Sequence, residues 1–516
     1  MEQGEKKVQI VTDGLNERIV RLGLVNKDLT PLTYGSRTIT PLGLTFTWFG
    51  MCITVAGFLT AGAYMQWITV GEALMACIVG KFLCVIIQIV TQEIGILYGI
   101  SYPTASRLHF GPLGSQLIAW VKIPSTTFWA GMNTWLGGTA VNVFMKELFG
   151  IDNIVIGMGF FAVITVLIVL KGAEILNKFN GIVSPVLIVI FIYFGYLLFQ
   201  NAHASLSEIL TFTNAETTLP FIEKVDRWGV CCMAVMGGMF GLSLAMPNIS
   251  RECTGNPLKF NSWWETNKWF AVAEFFGGVP ITLALNFLGC SSACITGVIN
   301  PITAIEMTVG EESKVIMLLI QVFIMLAIWS TTAGVNVLTT ALLLCNIFKK
   351  VPYKVMSCIF LACAIAIRPW RITGALPTIV SWLGGIQAPL GGMIITDYFL
   401  VRKRRIELED LYKTKGSKYY YWKGINPASI VTYIVTILFM QIPALRAYNI
   451  MVGMFISSPL YYFLMKFWIF KKYPENKEDA KKRFPDSLEE AEAIDKKINE
   501  ELGFYADVEQ AAVEAK

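Results

Sequence analysis

Residues 48–57 read Trp48-Phe49-Gly50-Met51-Cys52-Ile53-Thr54-Val55-Ala56-Gly57, and residues 237–243 read Gly237-Gly238-Met239-Phe240-Gly241-Leu242-Ser243, with Pro247 closing the run. Both stretches lie inside apolar runs long enough to cross a bilayer, and both place glycine near the middle of the span. A helix broken there frees backbone amides and carbonyls. Lipid cannot bond them, so unwound backbone survives only where it lines a cavity or meets other protein. Glycine also serves simple close packing of helices, and either stretch alone decides little. Together, at the first helix of each of two five-helix halves, they point to an inverted repeat with its site at the midplane.

The rest of the chain agrees with a membrane setting. Of 516 residues, 54% are hydrophobic and 15% charged, against about 25% charged in soluble domains. A span needs about 20 apolar residues, and such segments fall at about 42–64, 71–97, 115–145, 154–171, 180–199, 227–247, 266–295, 314–346, 354–368, 375–398, 426–443 and 449–469. They are numbered one to twelve below. The expected class is an all-α integral membrane protein of about 12 transmembrane helices. Its expected organisation is a cytoplasmic N-terminal tail (1–41), a membrane domain (42–470) and a cytoplasmic C-terminal tail (471–516). Within the membrane domain, repeat one covers about 42–199, repeat two about 227–398, and two extra helices about 426–469. No second soluble domain is legible.

Lysine and arginine set the orientation. One side collects Lys6, Lys7, Arg18, Arg21, Lys27, Arg37, Arg107, Lys171, Lys178, Arg251, Lys259, Lys268, Lys349, Lys350, Lys354 and the run Arg402-Lys403-Arg404-Arg405. The other side has few, among them Lys146, Lys224, Lys314 and Arg446. This predicts a multi-pass protein of the plasma membrane with both termini cytoplasmic. The first forty residues show no apolar core and no cleavage site, so segment one is expected to act as signal and anchor. Beyond Phe470, Ser487-Leu488-Glu489-Glu490 has capping-box spacing, and Gly503 marks an end for the helix it would start.

Enzyme chemistry finds no support. There is no phosphate-binding glycine loop, no C-x-x-C pair, and only His109 and His203 for histidines. The eleven cysteines lie mostly in apolar runs, as small packing residues do. A net charge of +5 without a basic cluster gives no reason to expect nucleic acid. What remains is solute movement. Ser330 and Thr331 in segment eight offer adjacent hydroxyls, which suit a hard cation such as sodium. They equally suit hydroxyls bonding back to the preceding turn. In segment three, Trp129 and Asn133 are four apart and share a face, and Asn336 supplies a second buried amide. An aromatic plane beside two amides suits a flat polar heterocycle; a core tryptophan with two interhelical hydrogen bonds reads equally well. Lys81, Glu93, Lys122 and Glu274 interrupt apolar runs, and such residues often mark ion or proton pathways.

Several motifs fall in a recognisable order. They are Asn26-Lys27-Asp28-Leu29-Thr30-Pro31 with Arg37; Tyr98-Gly99-Ile100-Ser101-Tyr102-Pro103 with Arg107, Phe110 and Gly111; and Asn133-Thr134-Trp135-Leu136-Gly137-Gly138. Further on come Ala327-Ile328-Trp329-Ser330-Thr331 with Asn336, Pro369-Trp370, Asp397-Tyr398-Phe399-Leu400, Asp410-Leu411-Tyr412 and Gly424-Ile425-Asn426-Pro427-Ala428. From about residue 26 to 470 the chain resembles the nucleobase:cation symporters of type one, carriers for cytosine, purines, allantoin and hydantoins. The resemblance implies a LeuT-like 5+5 inverted repeat plus two C-terminal helices, and cation-coupled import by alternating access. It implies a sodium site of backbone oxygens from Gly50, Ile53 and Ala327 with the hydroxyls of Ser330 and Thr331. It implies a substrate stacked on Trp129 and bonded to Asn133 and Asn336, with Thr54 in reach. Hydantoin-type members carry a Trp in segment six where this register gives Met239 with Phe240 beside it. The family commonly has Gln at the position of Asn133. No cofactor is expected beyond sodium, or alternatively protons, as coupling ion. The expected partners are a small heterocyclic substrate and membrane lipid. An amino-acid carrier on the same fold and a ligand sensor without transport are the competing readings. Proton coupling would fall to Glu93 or Glu274.

Overall fold

The computed structural model describes residues 31–477 apart from 172, 216–219, 339, 342–343, 345–350 and 412–416, together with 489, 490 and 493. The N-terminal motif up to Thr30 and the tail helix expected from Ser487 to Gly503 lie outside the described residues. Among those described, regular structure is helical, apart from isolated bridges joining Ile39 to Cys253 and Trp422 to Ile425.

All twelve expected segments are helical. Among the described residues, six helices have the length and apolarity of a span: Val70–Tyr98, Phe221–Ser250, Trp263–Thr296, Lys314–Leu338, Pro369–Val401 and Pro443–Lys472. Segment one passes only as a bent pair, Pro41–Cys52 with Val55–Gln66, at 54°. Segments three and four, Leu117–Phe149 and Ile154–Lys171, turn back on one another at Gly150, whose φ of 69° is the left-handed cap that suits glycine. Large apolar side chains such as Phe46, Phe160, Ile192 and Phe455 stand exposed around the bundle, which water would not tolerate over so much area but lipid does.

Packing shows the repeat. Segment two packs on segment six and segment seven on segment one; segment three packs on segment nine and segment eight on segment four. Exchanging the halves, one for six through five for ten, converts each of these pairs into the other. Two groups result: segments one, two, six and seven, and segments three, four, eight and nine. No pairing of comparable extent joins segment one to segment three or eight among the described residues.

The two glycine stretches behave differently. Segment one breaks as expected: its first helix ends at Cys52, Ile53 and Thr54 leave helical geometry, and Thr54 caps the helix that starts at Val55 by accepting from the Gly57 amide. Segment six does not break within Gly237–Ser243. Phe221–Leu244 is one continuous helix, and the turn comes later, at Ala245-Met246. Its glycines serve packing instead. A Cβ on Gly237 would stand 2.3 Å from the Val380 carbonyl oxygen, and one on Gly241 would stand 2.8 Å from Gln387 Oε1. Both contacts belong to segment ten, which is itself interrupted between Gly385 and Ala388. Segment eight departs from α geometry too: the helix from Lys314 turns π-helical at Thr331–Leu338. π-turns inside α-helices are frequent at functional sites.

Many of the motif residues form a polar lock at one end of the molecule. Arg402 donates to Asp397 Oδ2 at 3.0 Å, bonds the Tyr421 hydroxyl and lies over the Tyr419 ring. Tyr461 of segment twelve donates to Asp397 Oδ1 at 2.8 Å. Asn426 bonds the His109 carbonyl at 2.8 Å, and Arg107 bonds the Leu411 carbonyl at 3.1 Å. Glu93 pairs with Arg404, which also bonds the carbonyls of Phe260 and Asn261. Glu93 is thus held as half of an ion pair through one of its carboxyl oxygens.

Two predictions follow from these contacts. Gly237→Ala forces a methyl onto backbone and is expected to destabilise by roughly 1–3 kcal/mol, whereas a Cβ on Gly238 has its nearest neighbour at 3.9 Å and Gly238→Ala is expected to be neutral or slightly stabilising. Thermal unfolding of the detergent-solubilised protein distinguishes them; equal behaviour would mean that segments six and ten do not close on Gly237. Burial, and then the Arg402 charge, push His109 down to about 3, against about 6.5 in an unfolded chain. Between these values the unfolded state binds the extra proton, so stability falls as pH drops below the unfolded value. His109→Phe, with its ring beside Phe110, is expected to flatten that decline from neutral to mildly acidic pH, read as the difference in Tm against the parent.

Candidate functional site

The break in segment one sets the chemistry of the midplane. The last four carbonyls of any helix lack an intrahelical partner, and for Pro41–Cys52 these include Gly50; Ile53 follows in the break itself. Oxygen atoms of just the kind assigned to a cation are therefore freed here. In segment eight, the Thr331 hydroxyl donates to the Ala327 carbonyl at 3.1 Å, and Thr332 donates to Ile328 at 2.6 Å. The back-bonding expected of membrane threonines is thus present. It also gathers two of the assigned oxygens, Ala327 O and Thr331 Oγ1, into one cluster, in which Ala327 O accepts from both the amide and the hydroxyl of Thr331. Ser330 is buried at the start of the π-turn.

Trp329 anchors this turn. Its indole nitrogen donates to the Phe161 carbonyl at 3.1 Å, and its ring stacks on Phe161 at 5.2 Å and 13°. The aromatic pair ties segment eight to segment four and fixes the direction of Ser330 and Thr331.

In segment three, Gly131 faces segment nine: a Cβ there would stand 2.5 Å from the Ala364 carbonyl and 2.7 Å from Pro369. Trp129 and Asn133 lie two positions either side and so project from the other side of the helix. Trp129 is half-buried, set edge-on to Phe128. Asn133 and Asn336 are buried, at 4% and 5% exposure. Neither amide makes a hydrogen bond among the described residues, although buried amides normally do. Segments three and eight meet through Ala130, Ala333 and Val337, which brings the two asparagines onto adjoining helices.

The candidate residues therefore divide across the boundary of the two helix groups. Gly50, Ile53, Thr54 and Met239 stand on one group; Trp129, Asn133, Ala327, Ser330, Thr331 and Asn336 stand on the other. Phe240 does not share the placement of Met239. It is fully buried against segment ten, where a Cβ on Gly391 would meet its ring at 3.2 Å. Consecutive helix positions point about 100° apart, so the two side chains cannot both face the boundary. Met239 is half-buried, and its carbonyl accepts from Ser243.

Sequence reasoning missed two features. One is the interruption of segment ten at Ile386-Gln387, for which Gly384-Gly385 ahead of Pro389 was an available signal. The other is the role of Gly137 and Gly138: side chains there would collide with Phe161 and Met158 of segment four, so this motif pair is a packing device. His203, Cys358 and Cys363 do not enter the site; no group of histidine, cysteine and acidic residues suited to a metal occurs among the described residues.

A bundle of two inverted five-helix repeats with broken backbone at its boundary is a membrane transporter, not an enzyme. Comparison with known proteins supplies the family. A family model described as permease for cytosine/purines, uracil, thiamine and allantoin matches residues 31–464. The hydantoin permease of Microbacterium maritypicum is 32% identical over 80% of this chain and 83% of its own length. The allantoin permease of Bacillus subtilis is 24% identical over 86% and 93%. The inward-facing structure of Mhp1 superposes with a TM-score of 0.80 at 30% identity, covering 92% of this chain and 97% of that one. A closed structure of Mhp1 with bromovinylhydantoin bound, titled a nucleobase-cation-symport-1 family transporter, gives 0.75. The chain belongs to the nucleobase:cation symporter-1 family.

Proposed function

We propose that this permease imports a flat, polar, nucleobase-like heterocycle such as a purine, pyrimidine, allantoin or hydantoin, coupled to sodium. The observation that carries the substrate class is the pair of buried amides, Asn133 and Asn336, without protein partners and beside the half-buried Trp129. Neither amide is sealed from solvent-accessible space, so both are open to a solute, and a ring with alternating N–H and C=O edges supplies the partners that both lack. The ring face stacks on Trp129 while its edge bonds Asn133 one turn on. Met239 and Thr54 close the site from the other helix group. Relatives named for hydantoin and allantoin support the same class; an amino acid would ask for partners to a carboxylate and an ammonium, which this set does not offer.

Sodium takes the oxygens of Gly50, Ile53, Ala327, Ser330 and Thr331. Because these stand on both helix groups, the cation draws the groups together and so prepares the substrate site between them. Alternating access then follows from rocking of one group on the other. The one-sided excess of lysine and arginine supports cytoplasmic termini, and the membrane of this reading is the plasma membrane.

Uptake of labelled heterocycles into proteoliposomes, with and without a sodium gradient, tests the reading; a competition panel of purines, pyrimidines, allantoin and hydantoin identifies the ring. Trp129→Ala is expected to weaken every accepted ring by more than the roughly 0.5–1.5 kcal/mol of aromatic pairing, and Trp129→Phe by much less. Asn133→Ala is expected to discriminate among rings, and Asn133→Gln to shift preference without abolishing binding. Uniform losses in Asn133→Ala, or none in Trp129→Ala, would move the site elsewhere. Ser330→Ala combined with Thr331→Val is expected to lower sodium dependence and substrate affinity together, since coupling is reciprocal. An unchanged sodium response of substrate binding in that double variant would remove the cation from segment eight.

A further inference from the structure

Behind the break in segment one lies a second set of polar groups that neither the substrate nor the sodium site uses. Lys81 of segment two is fully buried. Its ammonium donates to Cys52 Sγ at 3.4 Å and stands 5.4 Å from the centre of the Trp48 ring. Glu274 of segment seven is 1% exposed, and neither of its carboxyl oxygens has a hydrogen-bond partner. One turn on from Glu274, Gly278 makes room for the lysine: a Cβ there would meet Lys81 Cε at 3.2 Å and Nζ at 3.3 Å. Lys81 thus lies along the face of segment seven that carries Glu274, yet its ammonium rests on segment one. The other titratable or charged groups around the pair are Cys52 of segment one, Cys77 and Cys84 of segment two, Cys232 of segment six, and, beyond Glu274, Cys253 with Arg37 and Glu252.

An isolated carboxylate without a donor is very costly in such surroundings, and intramembrane ionisable residues are retained for function. Lys81 has two possible anchors. While Glu274 holds a proton, the ammonium gains most from the thiol and the aromatic face of segment one. Once Glu274 is ionised, the ammonium gains more from closing an ion pair on segment seven. Cys52 is the last helical residue before the break at Ile53-Thr54, so this exchange of partners acts directly on the hinge.

We propose that Glu274 is a proton-binding site of the transport cycle, and that its ionisation transfers Lys81 from Cys52 and Trp48 to Glu274, releasing the first half of segment one. The step is a simple exchange: the carboxylic acid loses one proton to the aqueous face then open, and regains one from the opposite face. The site deepens the transport reading given above, on which its place in a cycle rests, but it does not depend on the identity of the substrate or on sodium.

The test is infrared difference spectroscopy of the full-length protein in lipid, titrated from acid to alkaline pH, with protons as the only ligand. The wild type is expected to show a protonated-carboxyl carbonyl band that bleaches on alkalinisation, and Glu274→Gln to lack that component. Lys81→Met, which removes the cation that favours the ionised form, is expected to raise the proton affinity of the same component by roughly tenfold or more. A spectrum unchanged by Glu274→Gln, or a band in Lys81→Met that titrates as in the parent, overturns the proposal. If Glu274→Gln does not fold, the Lys81→Met titration decides alone. A second readout uses hydantoin as the probe in proteoliposomes: a pH gradient with the acid side outside is expected to stimulate its uptake severalfold in the wild type, and Glu274→Gln to lose that stimulation. Equal stimulation in both overturns the proposal. Absence of hydantoin uptake in the wild type excludes hydantoin as the ring, and the infrared result then stands as the test of Glu274.

Discussion

Everything distinctive in this molecule follows from the lack of water in the bilayer core. Each backbone amide and carbonyl there must find a partner within the protein. A continuous helix meets that demand automatically, so every interruption has to be answered locally. At Ile53-Thr54 the answer is partial: Thr54 satisfies one amide through its side chain, and carbonyl oxygens at the end of the first helix remain available. Where segment six ends, segment two contributes to the answer, because Thr91 donates to the Ser243 carbonyl at 2.7 Å and Gln88 donates to the Ser243 hydroxyl at 3.1 Å. The first interruption therefore leaves backbone oxygens free, and the second is braced by side chains of segment two.

That contrast explains how far the sequence could be read. The helices were legible because a span is written in about 20 consecutive apolar residues, and neither topology nor packing alters that count. The function of a glycine within a span was not. Gly50 and Gly237 look alike in a linear string, and what separates them is the neighbour. Gly237 faces the Val380 carbonyl of a segment more than 140 positions away, and only the folded chain reveals that it is a contact surface rather than a break. The π-turn at Thr331–Leu338 was hidden for a related reason, since its residue pattern is compatible with an ordinary helix that happens to carry hydroxyls.

The candidate site was legible in its residue types and less so in its directions. Trp129 and Asn133 share a face because four residues make about one turn, and the structure adds that the opposite face, at Gly131, is taken up by segment nine. Met239 and Phe240 could not be separated by spacing, and packing against Gly391 separates them. The motifs that carried the family resemblance divide in the same way. Trp129, Asn133 and the Ser330-Thr331 pair belong to the group of segments three, four, eight and nine, whereas Asp397, Arg402, Asn426 and Arg107 fasten one end of the bundle.

The last of these arrangements bears on how the protein is built as a whole. Tyr461 of segment twelve supplies a hydrogen bond to Asp397, whose other oxygen holds the fully buried Arg402. Asn426, at the start of segment eleven, and Tyr421 just before it bind the loop that follows segment two. The two helices outside the repeat are thus keystones of its closed end rather than appendages. A shortened chain comprising the ten-helix repeat alone would leave a buried carboxylate and a buried guanidinium short of partners, at a cost of several kcal/mol. Duplication of a five-helix unit accounts for the symmetry of this transporter, but its stability as a single body is a property of the asymmetric remainder.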